Sequence, residues 1–375
     1  MKNTISPRGL LKIFGLLLLL ISFLGVNDVY AQRQHKQSKR YINKRNKKIG
    51  KYKGGSIHFD KNKRYISAGF SIDAVNYFGD LAPKKDITST NISFTRPAFT
   101  IYATYRLYPN LSFRGSFGWS RIVGDDFESA DPYGEESRFR YTRNVSFRND
   151  IKELAFVGIW DFMANHGTFL NRVSFTPYAF GGVAVFHHNP KGKVPELDKF
   201  SQPLAEAGDL VALRGLGTEG QLSSHYDVKQ YSMIQPSIPF GLGIRAKVNK
   251  RLDFEFEVGY RFLFTDYIDD VSGLYVDLGA LDSELARTMS DRSHLSNEPT
   301  SVSGGMRDIE AIEAITRTIT YTSKYDNQQY SVYAGYGSEH EANNRGSAED
   351  NDIYIVTSFK LSYIITGRFK RAKFR

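Results

Sequence analysis

The chain has 375 residues, a formal net charge of +10 from 50 Lys plus Arg against 40 Asp plus Glu, and no cysteine. The lack of cysteine excludes a disulfide framework, thiolate zinc or iron–sulfur sites, a cysteine nucleophile and a lipidated N-terminal cysteine. Apolar residues at 41% and a mean hydropathy of −0.39 resemble a soluble protein, but 23 Tyr and 27 Phe bring aromatics to 14%, an excess that points towards a lipid-facing surface.

Lys2, Arg8 and Lys12 precede a 14-residue, largely apolar run from Ile13 to Val26, and Val29-Tyr30-Ala31 places small residues at the −3 and −1 positions of a cleavage site. Residues 1–31 are therefore expected to be a secretory signal peptide. The run falls short of the roughly 20 residues a spanning helix needs. No later stretch of 18 apolar residues follows. The exported chain is then either soluble or a transmembrane β-barrel. Charge is uneven: 33–64 carries a net +12, 368–375 carries +5, and 65–367 is left at −9. The overall basicity comes from two ends that flank an acidic body.

Eight segments of that body alternate with period two. They are Tyr65 to Tyr77, Ala98 to Tyr108, Leu111 to Val123, a segment ending at Phe162, Phe175 to His187, Ile238 to Val248, Leu252 to Thr265, and Ile353 to Ile365. In the seventh, Leu252, Phe254, Phe256, Val258, Tyr260, Phe262 and Phe264 share one face, and Asp253, Glu255, Glu257 and Arg261 the other. The alternation fits equally a half-solvated sandwich and a lipid barrel. The connections favour the barrel. Tyr108-Pro109-Asn110 and Asn249-Lys250-Arg251 are tight turns and 163–174 is a modest link, whereas 79–96, 124–146, 189–236 and 268–352 are long. Long and short links alternate strictly, as in outer-membrane barrels with short periplasmic turns and long external loops. The expected fold is all-β, an eight-stranded antiparallel transmembrane barrel of the outer-membrane type. It spans 65–367 with long loops 189–236 and 272–352. A basic segment 32–64 and a basic tail 368–375 fall on the periplasmic side.

Eight strands enclose an interior just wide enough for side chains. Arg106, Arg114, Arg245, Arg261 and Lys360 fall on the inward face with Glu153, Asp161, Glu255 and Glu257. Buried charges require partners, so these nine are expected to form a lumenal salt-bridge network with a structural role. On the same reasoning Phe256→Arg, a cation in lipid, should cost more than Glu257→Gln.

Several stretches resemble the PorG-like outer-membrane proteins of the type IX secretion system of Bacteroidota. They are Asn76-Tyr77-Phe78-Gly79-Asp80-Leu81, Thr176-Pro177-Tyr178-Ala179-Phe180-Gly181-Gly182 with Asn189-Pro190, Leu216-Gly217-Thr218-Glu219-Gly220-Gln221, and Thr265-Asp266-Tyr267-Ile268-Asp269-Asp270-Val271-Ser272-Gly273. The resemblance covers about 65–275 and the last strand. The long basic segment 33–64 and the large loop 272–352 depart from it. It implies a non-enzymatic outer-membrane component that works beside a periplasmic ring of lipoprotein and partner subunits.

No GxSxG, HExxH or CxxC motif is present. His187-His188 is the single His pair, and rim polarity is its simplest role. Asp266, Asp269 and Asp270 have the chemistry to chelate Ca²⁺, but their spacing is not that of an EF-hand, and local capping of a strand-end turn is the expectation. Gly215, Gly217 and Gly220 lack the Lys-Ser/Thr and the strand-to-helix setting of a phosphate loop. The stretch 281–352, rich in Asp, Glu, Ser and Asn, reads as a mobile external loop, with one short ordered piece where Ile309, Ile312, Ile315 and Ile319 recur at helical spacing. The basic segment reads as a solvated linker, or as a dock for an acidic partner or for phosphates of lipid or cell-wall polymers. Export argues against nucleic acid. Neither a cofactor nor a small-molecule substrate is expected. Partners are outer-membrane lipid and periplasmic subunits of the secretion machine. The alternative is an independent surface barrel, an adhesin or a lipid-modifying enzyme.

Overall fold

The computed structural model describes residues 59, 63–81, 94–135, 137–295, 306–347 and 351–365. Residues 1–31, expected as a signal peptide, nearly all of the basic segment and the basic tail lie outside these residues.

Barrel strands grow from period-two stretches whose alternate face is rich in aromatic and β-branched residues, a pattern that suits a pleated surface with two different faces. In chain order they are β1 (Ile66–Phe78), β2 (Arg96–Arg106), β3 (Leu111–Asp125), β4 (Ser146–Asp161) and β5 (Phe175–His187). Two short strands, β6 (Lys191–Lys193) and β7 (Leu210–Ala212), follow before β8 (Ile234–Lys247) and β9 (Leu252–Leu263). A separate hairpin, β10 (Thr318–Thr322) and β11 (Gln329–Tyr333), precedes the last barrel strand, β12 (Ile353–Ile364). The order β3-β2-β1-β12-β9-β8-β5-β4, with β4 returning to β3, closes an eight-stranded antiparallel barrel. The seam runs from Ser67↔Ile364 to Phe78↔Ile353.

At one end the links are turns. Leu107 and Tyr108 donate to the Leu111 carbonyl, and the Asn249 carboxamide caps the amides of Arg251 and Leu252. At the other end lie the four long connections. Between them the outer face is apolar around the whole circumference. Phe70, Ile72, Phe99, Ile101, Phe117, Leu154, Phe156, Trp160, Val183, Phe240, Leu242 and Phe359 all point outward and are exposed. A soluble protein cannot leave so continuous an apolar belt in water. With internally paired strands behind it, the belt is a lipid-facing surface, and the molecule is a transmembrane β-barrel of the outer-membrane type.

The described parts of the three long connections after β3, β5 and β9 are folded. After β3, Asp125 caps a short helix α1 (Asp126–Ser129), and α2 (Arg138–Arg143) ends on Asn144 in the left-handed region. β6 pairs with β4 at Arg148↔Lys191 and then with β7. In the last loop Ser283 caps α3 (Glu284–Ser290) and Asp308 caps α4 (Ile309–Glu313). Over its described residues, 281–295 and 306–347, this corrects the expectation of a mobile loop with one helical piece. Ile309 and Ile312 are helical, but Ile319 sits in β10 opposite Val332. The local β-branched alternation Thr318-Ile319-Thr320-Tyr321-Thr322 prevails over the helical spacing there. Val276, Leu278, Leu281, Ala286, Tyr330 and Val332 form a small core of this loop's own.

Candidate functional site

The lumen is filled from end to end by residues on the inward faces. Nearest the turns, Tyr65, Phe169 and Ile364 pack together, and the Arg172 guanidinium spans the opening. Arg172 bonds to both oxygens of Asp253 and to the carbonyls of Phe169, Asn249, Lys250 and Leu252. Above it the ionic chain begins. Arg106 and Arg245 share Asp161 at 3.0 and 3.1 Å, and Arg245 reaches Glu255 at 3.0 Å. Arg114 grips Glu257 with both terminal nitrogens, one at 3.0 Å, and lies 3.9 Å from Glu255. Lys360 closes on Glu257 at 2.8 Å, and the Tyr178 hydroxyl donates to it at 2.6 Å. Arg261 pairs with Glu153 at 2.9 Å, and Tyr354 donates to the same carboxylate.

All nine charged residues expected in the lumen are there, joined by ion pairs. Arg172–Asp253 belongs to the same interior but was not singled out from sequence. Arg172 lies in a link between strands, where period two gives no inside or outside. Register brings the charges together: Lys360 faces Glu255 across β12–β9, one inward position from Glu257, and Arg245 faces Glu255 across β8–β9. Such an interior resists opening. Removing one partner of a buried pair typically costs about 3–5 kcal/mol, because the other charge is stranded.

At the loop end lies a second cluster, built from three stretches far apart in sequence. The Tyr77 hydroxyl, at the top of β1, is 2.5 Å from Oδ2 of Asp269 and 2.9 Å from Oδ1 of Asp352. The remaining oxygens of these two carboxyls accept the amides of Val271 and Ile268. Asp269 and Asp352 are fully buried, and burial, together with the nearby charges of Asp80 and Asp266 and, for Asp352, of Asp269, holds both well above the usual carboxylate range. Phe78 is buried beside them. A Cβ at Gly79 would overlap the Tyr77 hydroxyl and the Asp352 carboxylate, so only glycine fits there. Asp80 accepts the Ser347 amide, and its carbonyl accepts from Arg143.

Next to this junction Asp270 occupies the left-handed region at φ 70°. It accepts the hydroxyls of Thr218 at 2.5 Å and Tyr231 at 2.7 Å. Burial pushes Asp270 up to about 6, against the lowering effect of Arg345 and the two hydroxyls. Arg345, wholly buried, pairs with Glu219 at 2.8 Å and donates to the Asp270 carbonyl. Glu219 in turn caps the amides of Ser272 and Gly273. Tyr267 stacks on Tyr231 with ring centroids 4.9 Å apart. Asp266 is buried in the same turn. Glu219, Asp269 and Asp270 therefore act as caps or as hydrogen-bond and ion-pair partners. Among the described residues no set of three His, Cys, Asp or Glu is placed to hold a metal ion. His188 stacks on Tyr231 and bonds to the Ser232 carbonyl, and burial pushes it down to about 4. Gly217 and Gly220, both with positive φ, form tight turns rather than a phosphate cradle.

The stretches 76–81, 216–221 and 265–273 thus meet in one buried unit at the barrel mouth. Asp352 and Arg345 complete it and were not selected from sequence. One signal was present for Arg345, the only arginine between Thr318 and Ile365.

A family described only as a domain of unknown function (DUF6089) matches residues 57–201. None of the curated proteins matches the chain significantly. Among solved structures, the chain is similar to Ail, the attachment invasion locus protein of Yersinia pestis, at 8% identity and a TM-score of 0.28, over 80% of this chain and 97% of that one. Neisserial surface protein A gives 8% identity and 0.32, over 81% and 97%. A major outer membrane protein from Thermus thermophilus gives 12% and 0.32, over 80% and 99%. The barrel assignment rests on this chain's own strand pairing.

Proposed function

We propose that the chain is a non-catalytic outer-membrane component of the type IX protein secretion machinery, held by its barrel and contacting a periplasmic ring of partner subunits. The observation that carries this reading is the convergence described above. Three of the stretches that resemble PorG-like proteins are separate in sequence, yet they pack into one ion-paired unit around Tyr77, Glu219, Asp269 and Asp270. A resemblance spread over unrelated short motifs would have no cause to assemble in this way. The filled lumen adds support, because a plugged barrel serves as an anchor rather than a conduit. The apolar belt and the export signal read from the sequence fit the outer membrane. The +12 and +5 segments supply a basic periplasmic face that would draw acidic partner surfaces over a Debye length of about 8 Å.

Deletion of the gene in a secreting strain tests the reading. Cargo carrying the secretion signal should accumulate in the periplasm, and the purified protein should recover ring subunits at low salt. Normal secretion by the deletion strain, with no periplasmic partner recovered, would transfer support to the independent surface barrel.

A further inference from the structure

The loop end also carries a cleft that the secretion reading does not use. It has a volume of about 420 Å³ and is lined by Phe139, Arg140, Ile315, Tyr336, Asn344 and Asp80, among others. Its chemistry is mixed in an ordered way. Two of its arginines are committed elsewhere: Arg143 is forked onto Asp126 at 2.7 and 2.8 Å, and Arg345 is held by Glu219. Arg140 is not. Among the described residues its one side-chain bond is to the Ser129 hydroxyl at 3.3 Å, and it has no carboxylate partner within ion-pair distance there. It is half-buried nonetheless, and burial lowers its pKa more than Asp126 and Asp80 raise it, with Arg143 adding to the lowering. A half-desolvated guanidinium facing an open cleft is a ready partner for an anion, because its planar fork matches carboxylate and phosphate oxygens.

The other walls narrow the ligand. Phe139 is 53% exposed at the rim, with the Arg138 guanidinium 5.2 Å from its ring, and Ile315, Ala334 and Tyr336 continue the apolar side. The Tyr336 hydroxyl is spent on the Phe139 carbonyl, which fixes α2 against this wall. Asn344 is exposed, and Asp80 lies on the lining with one oxygen turned to the Ser347 amide. The cleft therefore offers one cation, an aromatic face for a ring, and polar acceptors for hydroxyl groups. Its volume falls at the lower end of the range for small-molecule sites.

We propose that this cleft binds an acidic sugar, one or two rings in size, with its carboxylate or phosphate on Arg140 and a ring face against Phe139. The same chemistry is found in a soluble sugar acid and in the phosphorylated headgroup of a glycolipid.

Calorimetric titration of the full-length protein in detergent micelles tests the proposal, with glucuronate, glucose 6-phosphate and glucose as soluble probes. A phosphorylated glucosamine glycolipid in mixed micelles is the fourth probe. Either acidic sugar should bind and glucose should not; binding confined to the glycolipid supports the site with a headgroup as its source. Arg140→Gln should weaken binding about ten- to hundredfold. Arg140→Lys should restore part of it, Phe139→Ala should weaken it, and Lys229→Gln, the same charge change at an exposed residue outside the cleft lining, should leave it intact. Unchanged heat-modifiability on gels controls for folding. The proposal is overturned if none of the acidic probes binds at millimolar concentration, if glucose binds equally, or if Lys229→Gln and Arg140→Gln weaken binding alike.

Discussion

The hydroxyl of Tyr77 lies 2.5 Å from Asp269, a residue 192 positions further along the chain, and 2.9 Å from Asp352. A phenol carries one proton and donates it to one carboxylate. The second short contact is favourable when that carboxyl is itself protonated and donates to the phenol oxygen. The junction thus ties β1, the turn after β9 and the entry to β12 through a retained proton.

Tyr77→Phe should therefore destabilise the protein by roughly 1–3 kcal/mol, since it leaves two buried carboxyls short of a partner. Both carboxyls are raised by burial, so their contribution to stability is whole below their ordinary range and is lost as pH rises through the raised values. Urea unfolding followed from acid to neutral pH should show stability falling on the alkaline side. Asp352→Asn should flatten that profile. A profile unaffected by the substitution would refute the shared proton.

The strand-nine pair Phe256 and Glu257 now ranks differently from the expectation drawn from alternation alone. Phe256→Arg places a cation in lipid at about 2–4 kcal/mol. Glu257 accepts from Arg114, Lys360 and Tyr178 at once. Glu257→Gln strands two buried cations, and should cost as much or more, about 3–5 kcal/mol. Refolding into vesicles across a urea series ranks the two. A nearly neutral Glu257→Gln would mean that the network is dispensable.

Two loop-end groups should oppose each other in pH. Asp270, raised to about 6, contributes fully below its ordinary 3.8 and loses that contribution as pH rises through 6. His188, lowered to about 4, contributes fully above its ordinary 6.5 and loses that contribution as pH falls through 4. Over the same interval the two slopes have opposite signs. His188→Asn should make stability fall more steeply as pH rises from 4 to 6, and Asp270→Asn should make it fall less steeply. Unfolding midpoints at intervals of half a pH unit would show it, and matching slopes in the two variants would contradict the assignment.

The orientation is testable on whole cells. Residues 200–210, in the long connection after β5, are exposed throughout, with Leu204 alone partly covered. Proteinase K added outside should cut there and leave the turns at 108–110 and 249–251 intact. Cleavage at the turns with 200–210 protected would invert the topology.

The barrel was legible because each strand's face is written locally. Leu252 to Leu263 alternates lipid and lumen without exception up to Gly259, and β5 begins and ends at the residues expected from sequence, Phe175 and His187. The lumenal charges were legible for the same reason. The loop end was not. Asp352 meets Tyr77 only after the chain has returned through the last long loop, and Arg345 reaches Glu219 over 126 residues. No periodicity encodes contacts of that range. The polar composition of 281–352 suggested solvent, when part of it serves as caps: Ser283, Asp308 and Asp291 each hold backbone amides of their own turns.

The closing seam joins the first barrel strand to the last, Phe78 to Ile353 at one end and Ser67 to Ile364 at the other. The sheet consequently has two raw edges until the final strand arrives, and that strand follows the longest excursion of the chain. Assembly must wait for the C-terminal residues, so an interrupted synthesis product exposes hydrogen-bonding edges to every neighbouring chain. Because Asp352 immediately precedes β12 and must find Tyr77 beside that seam, completion of the cylinder and locking of its lid become a single late event. A chain truncated before β12 should thus be cleared by periplasmic proteases rather than persist as a partial barrel.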